Sequence, residues 1–197
     1  MIAILTGDII NSREAKAEYW LPLLKEVLNY YGKAPLDWEI FRGDSFQLSI
    51  PVEKVILAVI HIKSTIKQTK NQDVRMAIGI GHENYKPLKI TESNGTAYVR
   101  SGESFAALKK HTLAIKSDNL EWDYCLNTMF NLAMLTANNW SSTAAKTIKT
   151  AIENPDKNQK ELAQLLGKSQ SSLSETLKRA GFDEIMNMNT FYKNTKR

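Results

Sequence analysis

Two aspartates, each directly behind a glycine, are the residues best suited to chemistry: Asp8 near the end of the apolar run Met1–Ile10, and Asp44 between two alternating segments. Asp8 interrupts a row of hydrophobes, and a buried carboxylate is costly unless it is paired, hydrogen-bonded or bound to a metal. In a strand-helix-hairpin unit the first strand lies beside the hairpin, so both carboxylates can share one edge of a sheet. There, paired oxygen ligands suit Mg²⁺ or Mn²⁺ bridging to phosphates. Arg42 and Arg75 suit either a phosphate or an ion pair with these aspartates, and the ion pair is preferred. Plainer roles stay open: Asp44 satisfying N–H groups of its turn, and Asp8 capping the helix that follows. His61, His82 and His111 stand apart from one another and read as structural or surface groups. Trp20, Trp38, Trp122 and Trp140 read as core, because they do not cluster with basic residues.

The elements that must position these groups follow from periodicity. Met1–Ile10 predicts a central strand, being apolar and too short for a helix of average length. Glu14–Tyr31 predicts a helix with Trp20, Leu24, Val27, Leu28 and Tyr31 on one face, Pro22 lying in its first turn or kinking it. Trp38–Phe41 and Phe46–Ile50 alternate as a hairpin around Arg42-Gly43-Asp44-Ser45. Pro51 opens a helix with the stripe Val52, Val55, Val59, Ile62 and Ile66. Val74–Gly81 is the next strand, whose Gly79 and Gly81 suggest close approach of another segment or a ligand. Thr96–Lys110 reads as a helix with Ala97, Phe105 and Leu108 inward, His111–Ile115 as a strand and Asn119–Asn139 as a long helix. The result is an α+β fold, one sheet covered by helices over residues 1–140, followed by a small all-α domain over residues 141–197.

Composition bounds the rest. The 197 residues, 43% apolar and 24% charged, suit one ample core or two small ones. No apolar run approaches the roughly 20 residues of a membrane span, and nothing at the amino terminus reads as a signal peptide. The single Cys125 cannot make an internal disulfide and is expected on a buried helix face; a cytoplasmic protein is expected. The net charge of +5 is uneven: residues 141–197 carry 10 Lys/Arg against 6 Asp/Glu, and residues 1–140 carry 16 against 15. A basic terminal domain is the electrostatic footprint of a phosphate-backbone binder.

Asn158–Leu177 reads as two helices joined by a tight turn. Asn158 and Glu161 have capping-box spacing, Gly167 tolerates a left-handed cap, and Ser169 can cap the second helix. Small Ala163, Gly167 in the turn and inward Leu173 closely resemble the helix-turn-helix of bacterial DNA-binding proteins, although Lys168 and Thr176 stand where apolar residues are common. The resemblance implies a recognition helix reading bases with Ser169, Gln170, Ser171, Ser174 and Glu175. Lys168, Lys178 and Arg179 would meet phosphates, and double-stranded DNA would be read by a homodimer.

A second resemblance covers roughly residues 1–115. Leu5-Thr-Gly-Asp-Ile-Ile-Asn-Ser-Arg13, Phe41-Arg-Gly-Asp-Ser-Phe46, Arg75-Met-Ala-Ile-Gly-Ile-Gly81 and Asn94-Gly-Thr-Ala97 look like the bacterial SatD family. More distantly, the order of motifs is similar to the palm-type domain of class III nucleotide cyclases and diguanylate cyclases. The resemblance implies a ferredoxin-like sheet with metal-binding aspartates at Asp8 and Asp44. The phosphate-stabilising Asn and Arg of the cyclases have no match beyond a substitute in Arg100. Two functions are therefore expected. The first is a DNA-binding transcriptional regulator whose amino-terminal domain senses a nucleotide, through Arg42, Arg75 and Arg100, or dimerises. The second is a metal-dependent nucleotide cyclase or nucleotidyl-transfer enzyme localised by its helical domain. Intact Asp8 and Asp44 keep the second reading open, and the missing phosphate-stabilising residues favour the first.

Overall fold

The structure, a computed structural model, describes residues 1–195. Strand β1 (Ile2–Ile10) is followed by α1 (Ala17–Tyr31), the hairpin β2 (Trp38–Phe41) and β3 (Ser45–Ile50), α2 (Val55–Ile66) and β4 (Asp73–Gly81). Then come α3 (Thr96–Ala106), β5 (Leu113–Lys116), α4 (Leu120–Ala137), α5 (Ser142–Glu153), α6 (Gln159–Leu165), α7 (Gln170–Arg179) and α8 (Phe182–Asn194). The sheet order is β2-β3-β1-β4-β5, so the apolar run at the amino terminus is the central strand. Its neighbours β3 and β4 are both antiparallel to it, and β5 joins parallel to β4.

The two faces of the sheet differ because side chains alternate along each strand. Ala3, Leu5 and Ile9 of β1, Phe46, Leu48 and Ile50 of β3, and Val74, Met76, Ile78 and Ile80 of β4 share one cluster with α1 and α2. The opposite face carries Thr6, Asp8 and Arg75 beneath α3, where the Thr6 hydroxyl is hydrogen-bonded to that of Ser101 at 2.9 Å. The close approach expected at Gly79 and Gly81 is made by α3: a Cβ on Gly79 would lie 2.1 Å from the Ala97 carbonyl oxygen. Gly7 is required for another reason, since a Cβ there would meet the Phe46 ring at 2.6 Å.

Helix α2 is buried along nearly its whole surface, including His61 and Lys63. The sheet covers one side and α5 packs on another. Lys63 donates to Asp73 at 2.7 Å, and Lys67 reaches both Asp73 and the Asn138 carbonyl. A single buried cluster continues from the sheet through α5 and α7 to Tyr192, whose hydroxyl donates to the Val52 carbonyl at 2.7 Å.

Several expectations are corrected in detail. Helix α1 begins at Ala17 rather than Glu14, and Pro22 sits within it rather than in its first turn. Helix α3 ends at Ala106, and Phe105 is only half-buried, with the Arg75 guanidinium 5.2 Å above its ring. Cys125 is half-buried rather than enclosed. All four tryptophans are buried, as expected of core residues.

Candidate functional site

At the end of β1, Asp8 lies opposite Ser45 of β3 and Arg75 of β4. Arg75 grips the Asp8 carboxylate with two hydrogen bonds, from Nε and from Nη2, each 2.7 Å. This is the bidentate geometry a planar guanidinium offers a carboxylate. Asp44 comes in from the loop of the β2–β3 hairpin, where Arg42 (φ 53°) and Gly43 (φ 93°) take left-handed conformations. Its carbonyl accepts the Ile9 N–H at 3.2 Å and its carboxylate accepts the Ser12 hydroxyl at 2.5 Å. The Arg75 pKa is raised by its hydrogen bonds to Asp8, partly offset by burial, and further by the negative charges of Asp8 and Asp44. One guanidinium thus answers both carboxylates.

That arrangement decides between the plainer roles. Asp8 does not cap α1, whose N-cap is Lys16 without a side-chain bond. The Asp44 side chain is held by a serine hydroxyl from the β1–α1 connection. Both oxygens of Asp8 are committed to Arg75, so as arranged the pair does not form a ready divalent-cation site: a cation bound there would have to displace the guanidinium. Among the described residues no cluster of three or more His, Cys, Asp or Glu side chains has metal-binding geometry.

A cleft of about 390 Å³ opens beside the ion pair, lined by Asp8, Arg75, Lys109, Lys110 and His111. The last three were not singled out from the sequence as binding residues. Their signal was the basic run Lys109-Lys110-His111 just past a helix end. Arg42 is exposed at the hairpin. Arg100 is not brought to this site: its Nη1 donates to the Ile80 carbonyl at 2.6 Å, five residues along β4 from Arg75, or about 17 Å of strand. It lines a different cleft of about 780 Å³ with Asn94, Thr96, Lys116 and Asp118.

The second candidate surface is the α6–α7 hairpin. The capping box at Asn158 and Glu161 is complete, Gly167 has φ 62°, and the Ser169 hydroxyl accepts from the Ser172 N–H at 3.2 Å. Leu162, Ala163, Leu173 and Leu177 are buried, while Gln170, Ser171, Ser174, Glu175, Lys178 and Arg179 are exposed. Lys168 is half-buried and donates to the Thr147 hydroxyl of α5 at 3.0 Å, which explains a polar residue just past the turn glycine. Glu175 and Arg179 pair with one another one turn apart.

Fold and site together define an α+β protein with a five-stranded mixed sheet and a carboxylate–guanidinium cluster at one sheet end. The family model described as the SatD family matches residues 1–193, and the chain belongs to that family. No curated protein and no solved structure matches it. No helix among the described residues is long and apolar enough to cross a membrane.

Proposed function

We propose that the chain is a DNA-binding transcriptional regulator whose carboxyl-terminal region, residues 141–197, carries a helix-turn-helix with α7 as its recognition helix. The observation that carries this reading is the free polar face of α7: its apolar side, Leu173 and Leu177, is consumed by the core, while Gln170, Ser171, Ser174 and Lys178 face solvent. Gln can pair bidentately with adenine in the major groove and Ser with several bases, whereas Lys178 would meet phosphate. Glu175 and Arg179 satisfy one another, and Lys168 is held by Thr147, so these three contribute less until they exchange partners. Selection of bound sequences from a random DNA pool tests the proposal. Gln170→Ala is expected to relax preference at one base position at a cost of about 1–3 kcal/mol, and Lys178→Ala to weaken all sequences alike and lower the salt slope by about one. Absence of enrichment, with no binding to generic duplex at low salt, would leave α6–α7 as a protein-interaction element.

The amino-terminal sheet end is proposed as the sensing site. The βαββαβ connectivity of β1 to β4 supports the ferredoxin-like, palm-type reading. The cations of Arg75, Lys109 and Lys110 beside Asp8 suit a nucleotide phosphate. The enzymatic reading is favoured by the convergence of Asp8 and Asp44 on one point of the sheet, but it requires Arg75 to release Asp8 before Mg²⁺ or Mn²⁺ can bind. Calorimetry with either ion and a panel of nucleotides separates the two. Heat with nucleotide alone supports sensing, heat that depends on the ion and vanishes in Asp8→Asn supports the metal site, and no heat in any combination removes both.

A further inference from the structure

Helix α4 presents an outer face that no other described residue covers. Leu120, Tyr124, Leu132 and Leu135 are 63–78% exposed, and with Thr128 they form one stripe along the helix. Next to the stripe a groove of about 600 Å³ runs between α4 and α8, floored by Met129, Met188 and Phe191. From Ser117 to Ala145 the chain contains no Lys or Arg, although it has 26 elsewhere. An exposed apolar helix face that itself carries no Lys or Arg, with the nearest cations, Lys178 and Arg179 of α7, only along the groove beside it, marks an interaction surface on a protein of net charge +5.

We infer that this face binds a second copy of the chain across a two-fold axis, with the two α4 helices antiparallel. In such an interface a residue meeting j on the partner is answered by j meeting it, and residues on the axis meet themselves, so like charges are excluded there. The stripe satisfies that condition about Thr128: Tyr124 and Leu132 lie four residues to either side of it, so each meets the other from the partner, and Leu120, eight residues before it, comes alongside Leu135, seven residues after it. The charges at the two ends are complementary. Glu121 is exposed at the start of α4, while Lys178 lines the groove beside Thr136 near its end. Neither has an ion-pair partner among the described residues, and the antiparallel arrangement brings each against the other's copy. A helix of 18 residues is about 27 Å long, and with α8 beside it the face is about 19 Å wide, so it offers about 500 Å² per partner, the size of a weak, reversible interface.

The inference does not rest on DNA binding, although Lys178, assigned above to phosphate, serves in both; sedimentation of the full chain without DNA, over a concentration series, tests it separately. A concentration-dependent dimer is expected. Leu132→Glu, at an exposed position that the fold tolerates, should raise the dimer dissociation constant about 100-fold or more, because each dimer loses the contact twice. Circular dichroism confirms that the variant is folded. Glu121→Lys and Lys178→Glu should each weaken the dimer, and the double variant should recover most of the loss, since the reversed pair is again complementary. A monomer at every concentration overturns the inference and gives the face to a different protein. A dimer indifferent to Leu132→Glu, or a double variant no better than either single one, overturns it as well.

Discussion

His61, Tyr31 and Glu153 join three helices through one imidazole: the Tyr31 hydroxyl is 3.0 Å from Nδ1, and Nε2 is 3.2 Å from a Glu153 oxygen. Burial lowers the His61 pKa, and the attraction of Glu153 offsets this only in part; burial also raises the Tyr31 phenol well above its ordinary value. Both shifts agree with a neutral ring that donates from Nε2 to Glu153 and accepts from Tyr31 at Nδ1. The sign of the pH dependence follows. As pH falls below about 6.5 the unfolded chain takes up a proton that the folded His61 refuses, so stability is full above that pH and declines until the native ring also protonates. The urea midpoint is expected to fall between pH 7 and pH 5, with a slope of at most about 1.4 kcal/mol per pH unit from this group. His61→Gln should flatten that part of the profile, and an unchanged slope would assign it to other groups.

At the scale of elements, the packing of α3 on β4 makes opposite demands at two glycines, Gly79 of β4 and Gly102 of α3. Gly79→Ala would place a methyl 2.1 Å from the Ala97 carbonyl and 2.3 Å from the Ser101 nitrogen, both backbone atoms that cannot rotate away. A loss of about 3 kcal/mol or more is expected, or no soluble protein. Gly102, one helical position past Ser101, has nothing within 4 Å of its would-be Cβ. Gly102→Ala should therefore stabilise α3 by about 0.5–1 kcal/mol, and paired chemical denaturation of the two variants checks both signs. Asn158→Ala removes the side-chain acceptor for the Lys160 and Glu161 N–H groups and is expected to cost about 1 kcal/mol. A variant as stable as the parent would show that tertiary packing alone fixes the start of α6.

For the whole molecule the important contact is between α2 and α5. The sequence places a boundary near Trp140, and Trp140 itself is buried, its indole donating to the Ala180 carbonyl at 2.9 Å. Helix α2 needs cover on the side away from the sheet, where α5 lies and where His61 finds Glu153, and Lys149 of α5 in turn pairs with Glu26 of α1. The two parts should therefore unfold together. Tryptophan fluorescence and far-ultraviolet circular dichroism are expected to give coincident denaturation curves. A fragment of residues 1–140 should be less stable than the full chain or insoluble. Two separated transitions would show that the carboxyl-terminal helices form a unit able to stand alone.

The strands and helices were legible in the sequence because their apolar residues recur at the period each element imposes: two along the hairpin, about 3.6 along α1 and α4. Caps were legible for the same local reason, since Asn158, Glu161, Gly167 and Ser169 act within a few residues of themselves. The Asp8–Arg75 pair was foreseeable only as a preference. Its 67-residue separation closes through antiparallel pairing of β1 with β4, and that register is set by the core on the other face of the sheet. Lys109, Lys110 and His111 reach the cleft beside Asp8 through the α3–β5 connection, while Arg100, nearer to Arg75 in sequence, is carried to the other end of β4. No local pattern encodes such distances. Nor could periodicity show that Gly79 faces a helix backbone, that Gly7 faces a ring, or that α2 is covered on both sides. Those facts belong to the packing of elements far apart in the chain, which only the tertiary structure decides.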